Sequence, residues 1–303
     1  MHPPLLIAIA LGMALVWSPD RAAAQTTQVV ILGTGTPNPD PDRSGPGVAI
    51  VAGGRAYLVD AGPGIVRRAT QAARDRRLDA LEAKRLGIAF ITHLHSDHTV
   101  GLPDLIHTSW GAERVEPFQL YGPPGIVAMA DHLTKAWRAD IALRTEGTQP
   151  STPNGWRIRA TTVRPGVVFR DSNVAVQAVP VPHTTWRYAF GYRFQTRDRV
   201  IVVSGDTRPT DAIADACAGC DVLLHEVYSA KRLEARTADW QRYHKGSHTS
   251  TVELAAIASR ARPKLLVLYH QLYWGATDDD LLAEIRAAGY QGPIVAARDL
   301  EVY

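Results

Sequence analysis

Hydrophobic and polar residues follow two periods along this chain, and these periods predict β-strands and α-helices in alternation. Short apolar runs bounded by turn residues are typical of buried strands, and longer segments with apolar residues three or four apart are typical of amphipathic helices. The predicted strands are 28–32, 47–52, 55–60, 87–91, 118–121, 157–163, 174–179, 189–194, 199–203, 222–225 and 264–268, with two short strands at the C-terminus. The predicted helices are 63–76, 78–85, one that begins at 101–102, 125–143, 210–217, 252–260 and 279–288.

The order of these elements indicates how the chain is organised. Strands come first and a mixed series of strands and helices follows, and this arrangement occurs twice without an internal repeat or a linker segment. The pattern alone therefore predicts a layered α/β protein with a single domain over residues 25–303.

The first 24 residues differ in character from the rest of the chain. Residues 5–17 form an apolar run that is too short to span a bilayer but has the length of a signal-peptide core, and residues 22–24 are three alanines that offer a cleavage site. We therefore expect residues 1–24 to be a signal peptide, the mature protein to be periplasmic or secreted, and no association with a membrane.

Charge and cysteine content narrow the possible classes of protein. A net charge of +3 spread over 303 residues is not by itself the basic footprint of a nucleic-acid-binding protein. The two cysteines are Cys217 and Cys220. Export permits a disulfide between them, whereas two free thiols or a redox pair are the alternatives, and two sulfurs alone do not complete a zinc site.

The densest cluster of metal-binding side chains lies directly after the strand predicted at 87–91. The segment HLHSDH at 93–98 offers His93, His95, Asp97 and His98 within six residues. Neutral imidazole and carboxylate are ligands that zinc accepts, and a loop at the end of a strand can direct them at one point. The segment therefore predicts a metal site.

Three further candidate ligands each follow a predicted strand. They are His183 after 174–179, Asp206 after 199–203, and His270 after 264–268. Taken singly, each is as well explained by a surface or core residue. Their recurrence at strand ends suits a site built on the rim of a sheet.

These residues and their order resemble the metallo-β-lactamase superfamily. The resemblance implies an αββα four-layer sandwich, in which two sheets pack together and helices cover their outer faces. It also implies two Zn²⁺ ions, for which Mn²⁺ or Fe²⁺ can substitute. By this resemblance one metal binds to His93, His95 and His183, the other binds to Asp97, His98 and His270, and Asp206 bridges them.

Further segments resemble one branch of that superfamily, the tRNase Z and arylsulfatase-like proteins. They are LGTGTP at 32–37, YGPPG at 121–125, HEVY at 225–228 and SHTS at 247–250. A dinucleotide loop at 33–38 is disfavoured, because Pro37 and Asn38 depart from its glycine pattern. The bridging Asp206 also separates this chain from true metallo-β-lactamases, which lack it.

The resemblance implies a hydrolytic mechanism in which a metal-bridging hydroxide attacks the substrate. Asp97 would orient that hydroxide, His248 would donate a proton to the leaving group, and Glu226 would hold and polarise the imidazole. The alternative for His248 is a surface position at a helix N-terminus. Asp60, which follows a strand, would support the ligand loop or would simply cap a helix.

Aromatic residues near these loops are candidates for a substrate pocket. Trp110, Trp186, Tyr188 and Trp274 lie close to the predicted site loops in the sequence. Aromatic residues in such places are as often core residues.

Two features shape the expected substrate. The chain carries an export signal, and only 22 residues separate His183 from Asp206, which leaves no room for the tRNA-holding arm common in bacterial tRNase Z enzymes. We therefore expect small esters, with phosphodiesters or aryl sulfates first. The alternatives are tRNA 3′ processing, which would make RNA a partner, hydrolysis of lactone or β-lactam rings, and a non-catalytic metal-binding or ligand-binding role. The branch also suggests a homodimer.

Overall fold

The computed structural model describes residues 26–303, so the predicted signal peptide lies outside the described residues. The strands are β1 Gln28–Gly33, β2 Gly47–Ala52, β3 Arg55–Val59, β4 Ile88–Phe90, β5 Phe118–Gly122, β6 Ile158–Thr162, β7 Gly166–Arg170, β8 Val174–Pro180, β9 Phe190–Thr196, β10 Val200–Val203, β11 Val222–Tyr228, β12 Leu265–Leu272 and β13 Ile294–Ala296. The α-helices are α1 Ile65–Arg76, α2 Ser96–Thr99, α3 Leu102–Gly111, α4 Ile126–Ala136, α5 Arg138–Glu146, α6 Asp211–Cys217, α7 Ala230–Leu233, α8 Ala238–Ser247, α9 Thr251–Ala261 and α10 Asp278–Ala287.

The strands form two sheets that each combine antiparallel and parallel pairs. The first sheet has the order β1-β2-β3-β4-β5-β6, and β3 to β6 are parallel. The second has the order β13-β12-β11-β10-β9-β8-β7, and β10 to β13 are parallel. Parallel neighbours end at the same edge of a sheet, so the loops that follow β3, β4 and β10 start at sheet edges.

Hydrophobic packing arranges these sheets in four layers. The inner faces share one core, in which the Phe90 ring of the first sheet lies 5.6 Å from the Phe194 ring of the second. A second cluster packs α1, α3 and α4 on the outer face of the first sheet, and a third packs α6, α9 and α10 on the outer face of the other. This arrangement confirms the expected αββα sandwich, since both faces of each sheet are covered.

Two predicted helices were wrong in form. Residues 78–85 make two short 3₁₀ turns, Asp79–Leu81 and Ala83–Arg85, because Glu82 between them is extended with ψ 138°. An extended residue interrupts the series of backbone hydrogen bonds between residues four apart that a continuous α-helix requires. The helix predicted at 125–143 is divided into α4 and α5 at Trp137, whose ring stacks on His107 with centroids 5.3 Å apart.

The pattern also missed four elements, namely α2, β7, α7 and α8. β7 is an edge strand with half-exposed side chains, so it lacks the apolar run that marks a buried strand. α8 is largely polar, with His244 and Ser247 as its buried residues, so it lacks the apolar stripe that marks an amphipathic helix. Cys217 and Cys220 are joined by a disulfide, which resolves the alternatives left open by the sequence. Within residues 26–303, no helix combines the length and apolar character needed to cross a bilayer.

Candidate metal centre

The HLHSDH segment forms a tight turn between β4 and the short helix α2. His93 and His98 are fully buried, Asp97 is 8% exposed, and His95 is half-buried. The first turn of α2 starts at Ser96, so Asp97 and His98 project from a rigid helical segment rather than from a free loop. The sequence therefore places four candidate ligands on one short, fixed piece of backbone.

One group of candidate ligands forms around His93. The Nε2 atom of His93 lies 2.9 Å from Nδ1 of His95, and Nε2 of His183 lies 3.2 Å from that same Nδ1. One ligand atom from each of these rings and from Asp206 lies within 4.8 Å of all the others. The structure therefore brings together His93, His95, His183 and Asp206, as expected from the resemblance.

A second group forms around Asp97. Its Oδ2 lies 3.3 Å from Nε2 of His270 and 3.4 Å from Nε2 of His98. Asp206 lies between the two groups, with Oδ1 3.4 Å from His98 Nε2 and Oδ2 3.9 Å from His93 Nε2. This carboxylate is thus in the position that a bridging ligand requires. Gly205, at φ 61°, makes the turn after β10 that leads to it.

His270 reaches the centre through an irregularity in β12 that the sequence did not predict. The strand was expected to end at Leu268, but it continues to Leu272 and carries one extra residue opposite Glu226 of β11. His270 has φ 50°, an unusual conformation for a residue other than glycine. A β-bulge redirects side chains locally, and here His270 and Glu226 lie opposite each other at the bulge.

Several hydrogen bonds fix the orientation of the imidazoles. Asp60 accepts from His98 Nδ1 at 2.8 Å and from the Thr92 backbone N–H at 2.8 Å, so Nε2 of His98 faces the centre. His183 Nδ1 lies 2.7 Å from the Ser247 carbonyl, to which it donates, leaving its Nε2 free to bind. Asp60 thus holds the ligand loop as expected, whereas the Ser247 carbonyl has no signature in the sequence.

Burial keeps the first group of imidazoles neutral. It lowers the pKa of His93 far below its ordinary value, lowers that of His95 to about 4, and also lowers that of His183. A neutral imidazole has the free electron pair that a metal ion needs.

The two imidazoles of the second group carry positive charge when no metal is bound. Burial opposes charge on His98 and His270, but nearby carboxylates, Asp206 foremost, raise the pKa of His98 well above its ordinary value and that of His270 to about 9. Protons on these rings therefore balance the buried carboxylates, a role that a divalent cation can take over.

The donor atoms fit divalent metal ions. His98 Nε2 and Asp206 Oδ1 are both buried, and neither has a hydrogen-bond partner among the described residues. Buried polar atoms are costly unless they are satisfied, and here two of them point at the same small space. The mixed nitrogen and oxygen donors suit zinc and also suit manganese or iron.

Replacement of Asp60 by Asn should weaken metal binding. Asn keeps the size of the side chain and tolerates the φ of 62° at this position, but it removes the charge that orients His98. We expect the metal Kd, measured by competition with a chromogenic chelator, to rise about 10–100-fold. Asp79→Asn, at an exposed position in a 3₁₀ turn, is the matched control. An unchanged Kd in Asp60→Asn would show that this carboxylate has no part in binding.

His248 and Glu226 form a buried pair beside the metal centre. His248 Nδ1 lies 3.3 Å from Glu226 Oε2 and 3.9 Å from Asp206 Oδ2. Backbone N–H groups of Thr207 and Thr249 donate to Glu226 Oε1 at 3.2 and 3.0 Å, which fixes the carboxylate. His248 lies between α8 and Ser250, the N-cap of α9, but it is 5% exposed, so the alternative of a surface residue is wrong.

Burial disfavours charge on both members of this pair. Burial lowers the pKa of His248 to about 4, and burial raises the pKa of Glu226 well above its ordinary value. Both shifts favour the uncharged state of the pair, which is a protonated carboxyl next to a neutral imidazole that faces the metal centre.

The aromatic residues expected near the site differ in where the structure places them. Trp110 is 1% exposed and donates to the Thr152 carbonyl, so it belongs to the core and the expectation of a pocket role was wrong. Trp186 lies over His95, with its indole nitrogen 2.7 Å from His95 Nε2. Trp274 lines a pocket that His248 also lines. Tyr188 is 41% exposed.

Comparisons with known proteins agree with this geometry. Residues 55–271 match the family model described as a beta-lactamase superfamily domain. A protein named Ribonuclease Z from Mycobacterium bovis (strain BCG / Pasteur 1173P2) is 31% identical over 90% of this chain and 96% of its own length. Two solved structures share the fold over nearly their whole length.

The first of these structures is human tRNase Z, short form, with a TM-score of 0.65, 23% identity, and coverage of 91% of this chain and 98% of that one. The second is a diphosphatase from the PhnP family, with a TM-score of 0.61, 18% identity, and coverage of 92% and 97%. Together, the matched domain, the near full-length relatives and the two convergent ligand groups show that this chain is a metal-dependent hydrolase that belongs to the metallo-β-lactamase superfamily, in its tRNase Z branch.

Proposed function

We propose that this protein hydrolyses phosphodiester bonds in RNA, in the manner of a tRNA 3′-processing endoribonuclease, with two zinc ions at the centre. The observation that carries the proposal is the buried His248–Glu226 pair, 3.3 Å apart, beside the two groups of candidate ligands. An alkoxide is a poor leaving group unless it is protonated, and the pair offers a proton where such a group would depart.

Each residue has a distinct part in this proposal. His93, His95 and His183 would hold one ion, Asp97, His98 and His270 the other, and Asp206 would contact both. When bound, such ions activate water and neutralise charge on a phosphoryl group. Asp97 would orient the attacking water, His248 would pass a proton to the leaving oxygen, and Glu226 would hold the imidazole in place.

This proposal reverses the order of substrates expected from the sequence. The short separation of His183 and Asp206 spoke against tRNA processing because it leaves no room for an arm. The relative named Ribonuclease Z from M. bovis aligns over 96% of its own length, however, so this chain lacks no large segment that the relative has. The absence of an arm therefore does not separate this chain from proteins of that name.

Small esters remain the second candidate because of the pocket beside His248. Its lining is largely aromatic, including Trp240, Tyr243 and Trp274, and an aryl phosphodiester or aryl sulfate would fit such a surface. The export expected from residues 1–24 favours this candidate as well.

A substrate panel tests both candidates with one preparation. Protein spanning 25–303 would be stripped with a chelator, reloaded with Zn²⁺ or Mn²⁺, and assayed on a 3′-extended tRNA, an unstructured RNA, bis-p-nitrophenyl phosphate and p-nitrophenyl sulfate. We expect the stripped protein to be inactive and the reloaded protein to cleave the extended tRNA. Cleavage of the small esters without cleavage of either RNA would contradict the proposal and favour the second candidate.

A further inference from the structure

A pocket of about 510 Å³ opens beside His248, outside the two groups of candidate ligands. Its walls include Trp240, Tyr243, His244, Trp274 and Arg236, which we term the aromatic pocket. The volume lies in the range typical of small-ligand sites. Because His248 lines the pocket and also faces the metal centre, the pocket begins where the leaving group would depart.

One face of α8 builds the first wall of the aromatic pocket. Trp240, Tyr243 and His244 lie three and four residues apart, and His248 follows one turn after His244. Trp240 and Tyr243 are 48% and 38% exposed, so two large rings present free surface. The Trp240 and His244 rings stack, with centroids 5.5 Å apart and planes 22° from parallel.

The opposite wall comes from the turn that follows β12, the strand that carries His270. Trp274 follows His270 by four residues, and its ring lies 4.5 Å from the His244 ring. The Arg236 guanidinium lies 5.7 Å from the ring centroids of both Trp240 and Trp274. A cation that connects two indole rings is typical of surfaces on which planar rings stack.

Polar atoms in the aromatic pocket are left without partners. His244 is 6% exposed, and its Nδ1 has no hydrogen-bond partner among the described residues. The Nε of Arg236 is likewise buried and unpaired within residues 26–303. Flat apolar walls with a few unsatisfied hydrogen-bonding atoms suit a heteroaromatic ring better than an aliphatic chain.

We propose that the aromatic pocket binds the base of the nucleoside whose 3′ oxygen leaves when water attacks the phosphorus and the P–O3′ bond breaks. This inference rests on the proposed function, since it assigns one side of an RNA phosphodiester to the pocket. The proton donor must reach the leaving oxygen, so the group attached to that oxygen lies on the His248 side of the centre. An aryl ring of a small ester has the same planar chemistry, and the experiment below separates the two sources.

Three dinucleotides test the proposal with the zinc-loaded protein. They are adenylyl-adenosine and two analogues that each lack one base, either on the nucleoside whose oxygen leaves or on the nucleoside that keeps the phosphate. Stacking of one base contributes about 1–3 kcal/mol, so we expect loss of the leaving-side base to raise KM roughly tenfold or more. Trp240→Ala should raise KM similarly for adenylyl-adenosine but not for the analogue that lacks the leaving-side base.

Two further variants test whether the effect on KM comes from the aromatic ring of Trp240. Trp240→Phe should restore most of the affinity, and Trp137→Ala, at a tryptophan 37% exposed between α4 and α5, should leave KM unchanged. If Trp240→Ala weakens all three dinucleotides equally, or weakens bis-p-nitrophenyl phosphate alone, the assignment of a nucleoside base to the pocket is wrong.

A binding measurement separates this proposal from the proposed function. Calorimetric titration with adenosine 3′-monophosphate and with ribose 3-phosphate needs no turnover, and both carry the phosphate on the oxygen that would leave. Tighter binding of the adenosine nucleotide that is lost in Trp240→Ala, in a protein that cleaves no RNA, would support base binding by the pocket and contradict RNA hydrolysis as the function. RNA cleavage with no preference for the base in either assay would support RNA hydrolysis and contradict base binding by the pocket.

Discussion

Replacement of Asp206 by Asn should abolish most hydrolytic activity and remove bound metal. The Asp206 carboxylate lies 3.4 Å from His98 and 3.9 Å from His93, so it is the one candidate ligand that connects both groups. Asn keeps the shape but donates with one of its atoms and carries no charge. We expect kcat/KM to fall further than the roughly 10²–10³-fold that loss of one stabilising donor costs. Metal content, measured by mass spectrometry after dialysis, should fall below that of the wild-type protein.

Asp215→Asn is the matched control for this change. Asp215 pairs with Arg260 on an exposed surface, so the same change of charge there should alter neither metal content nor rate. Full metal content with normal turnover in Asp206→Asn would mean that the two groups do not act as one centre.

Replacement of His248 by Ala should slow the reaction in a way that depends on the leaving group. A positioned proton donor contributes about 10²–10⁴-fold to a rate, so kcat on RNA should fall by a factor in that range. p-Nitrophenolate leaves without needing a proton, so kcat on bis-p-nitrophenyl phosphate should fall less than tenfold, consistent with the same principle. Metal content should not change, because His248 lies outside both groups of candidate ligands.

His132→Ala, at an exposed position on α4, serves as the control for loss of an imidazole. Equal losses on both substrates would argue that His248 shapes the site rather than supplying a proton. Loss of metal in His248→Ala would make it a ligand instead.

The amino-acid pattern predicted most strands and helices because the two kinds of element differ in period, whereas the four-layer arrangement came from the resemblance. Strands buried on both faces, such as β2, give continuous apolar runs, and helices that cover a sheet, such as α9, give an apolar stripe. The half-exposed edge strand β7 and the polar helix α8 gave neither signal. The division of α4 and α5 was also missed, since the stacking of Trp137 on His107 is a contact between distant residues.

For the functional site as well, the sequence indicated which residues take part, and the folded structure showed which of them are in contact. The sequence by itself determined the candidate ligands. The HLHSDH segment and the single residues His183, Asp206 and His270 offer metal-binding side chains, and each follows a predicted strand. It also indicated Asp60, Glu226 and His248 through a resemblance.

Only the tertiary structure decided how these residues meet. Two features depend on segments that are distant in the sequence, namely the bulge that turns His270 toward Asp97 and the Ser247 carbonyl that orients His183. The disulfide joins cysteines three positions apart, but their spacing alone did not distinguish it from two free thiols. The aromatic pocket also depends on distant segments, since α8 and the end of β12 become neighbours only when the outer layer packs on its sheet. Local periodicity indicates which face of a segment is buried. The partner of a residue across a hydrogen bond or a bulge lies on another segment, so the local pattern does not indicate it.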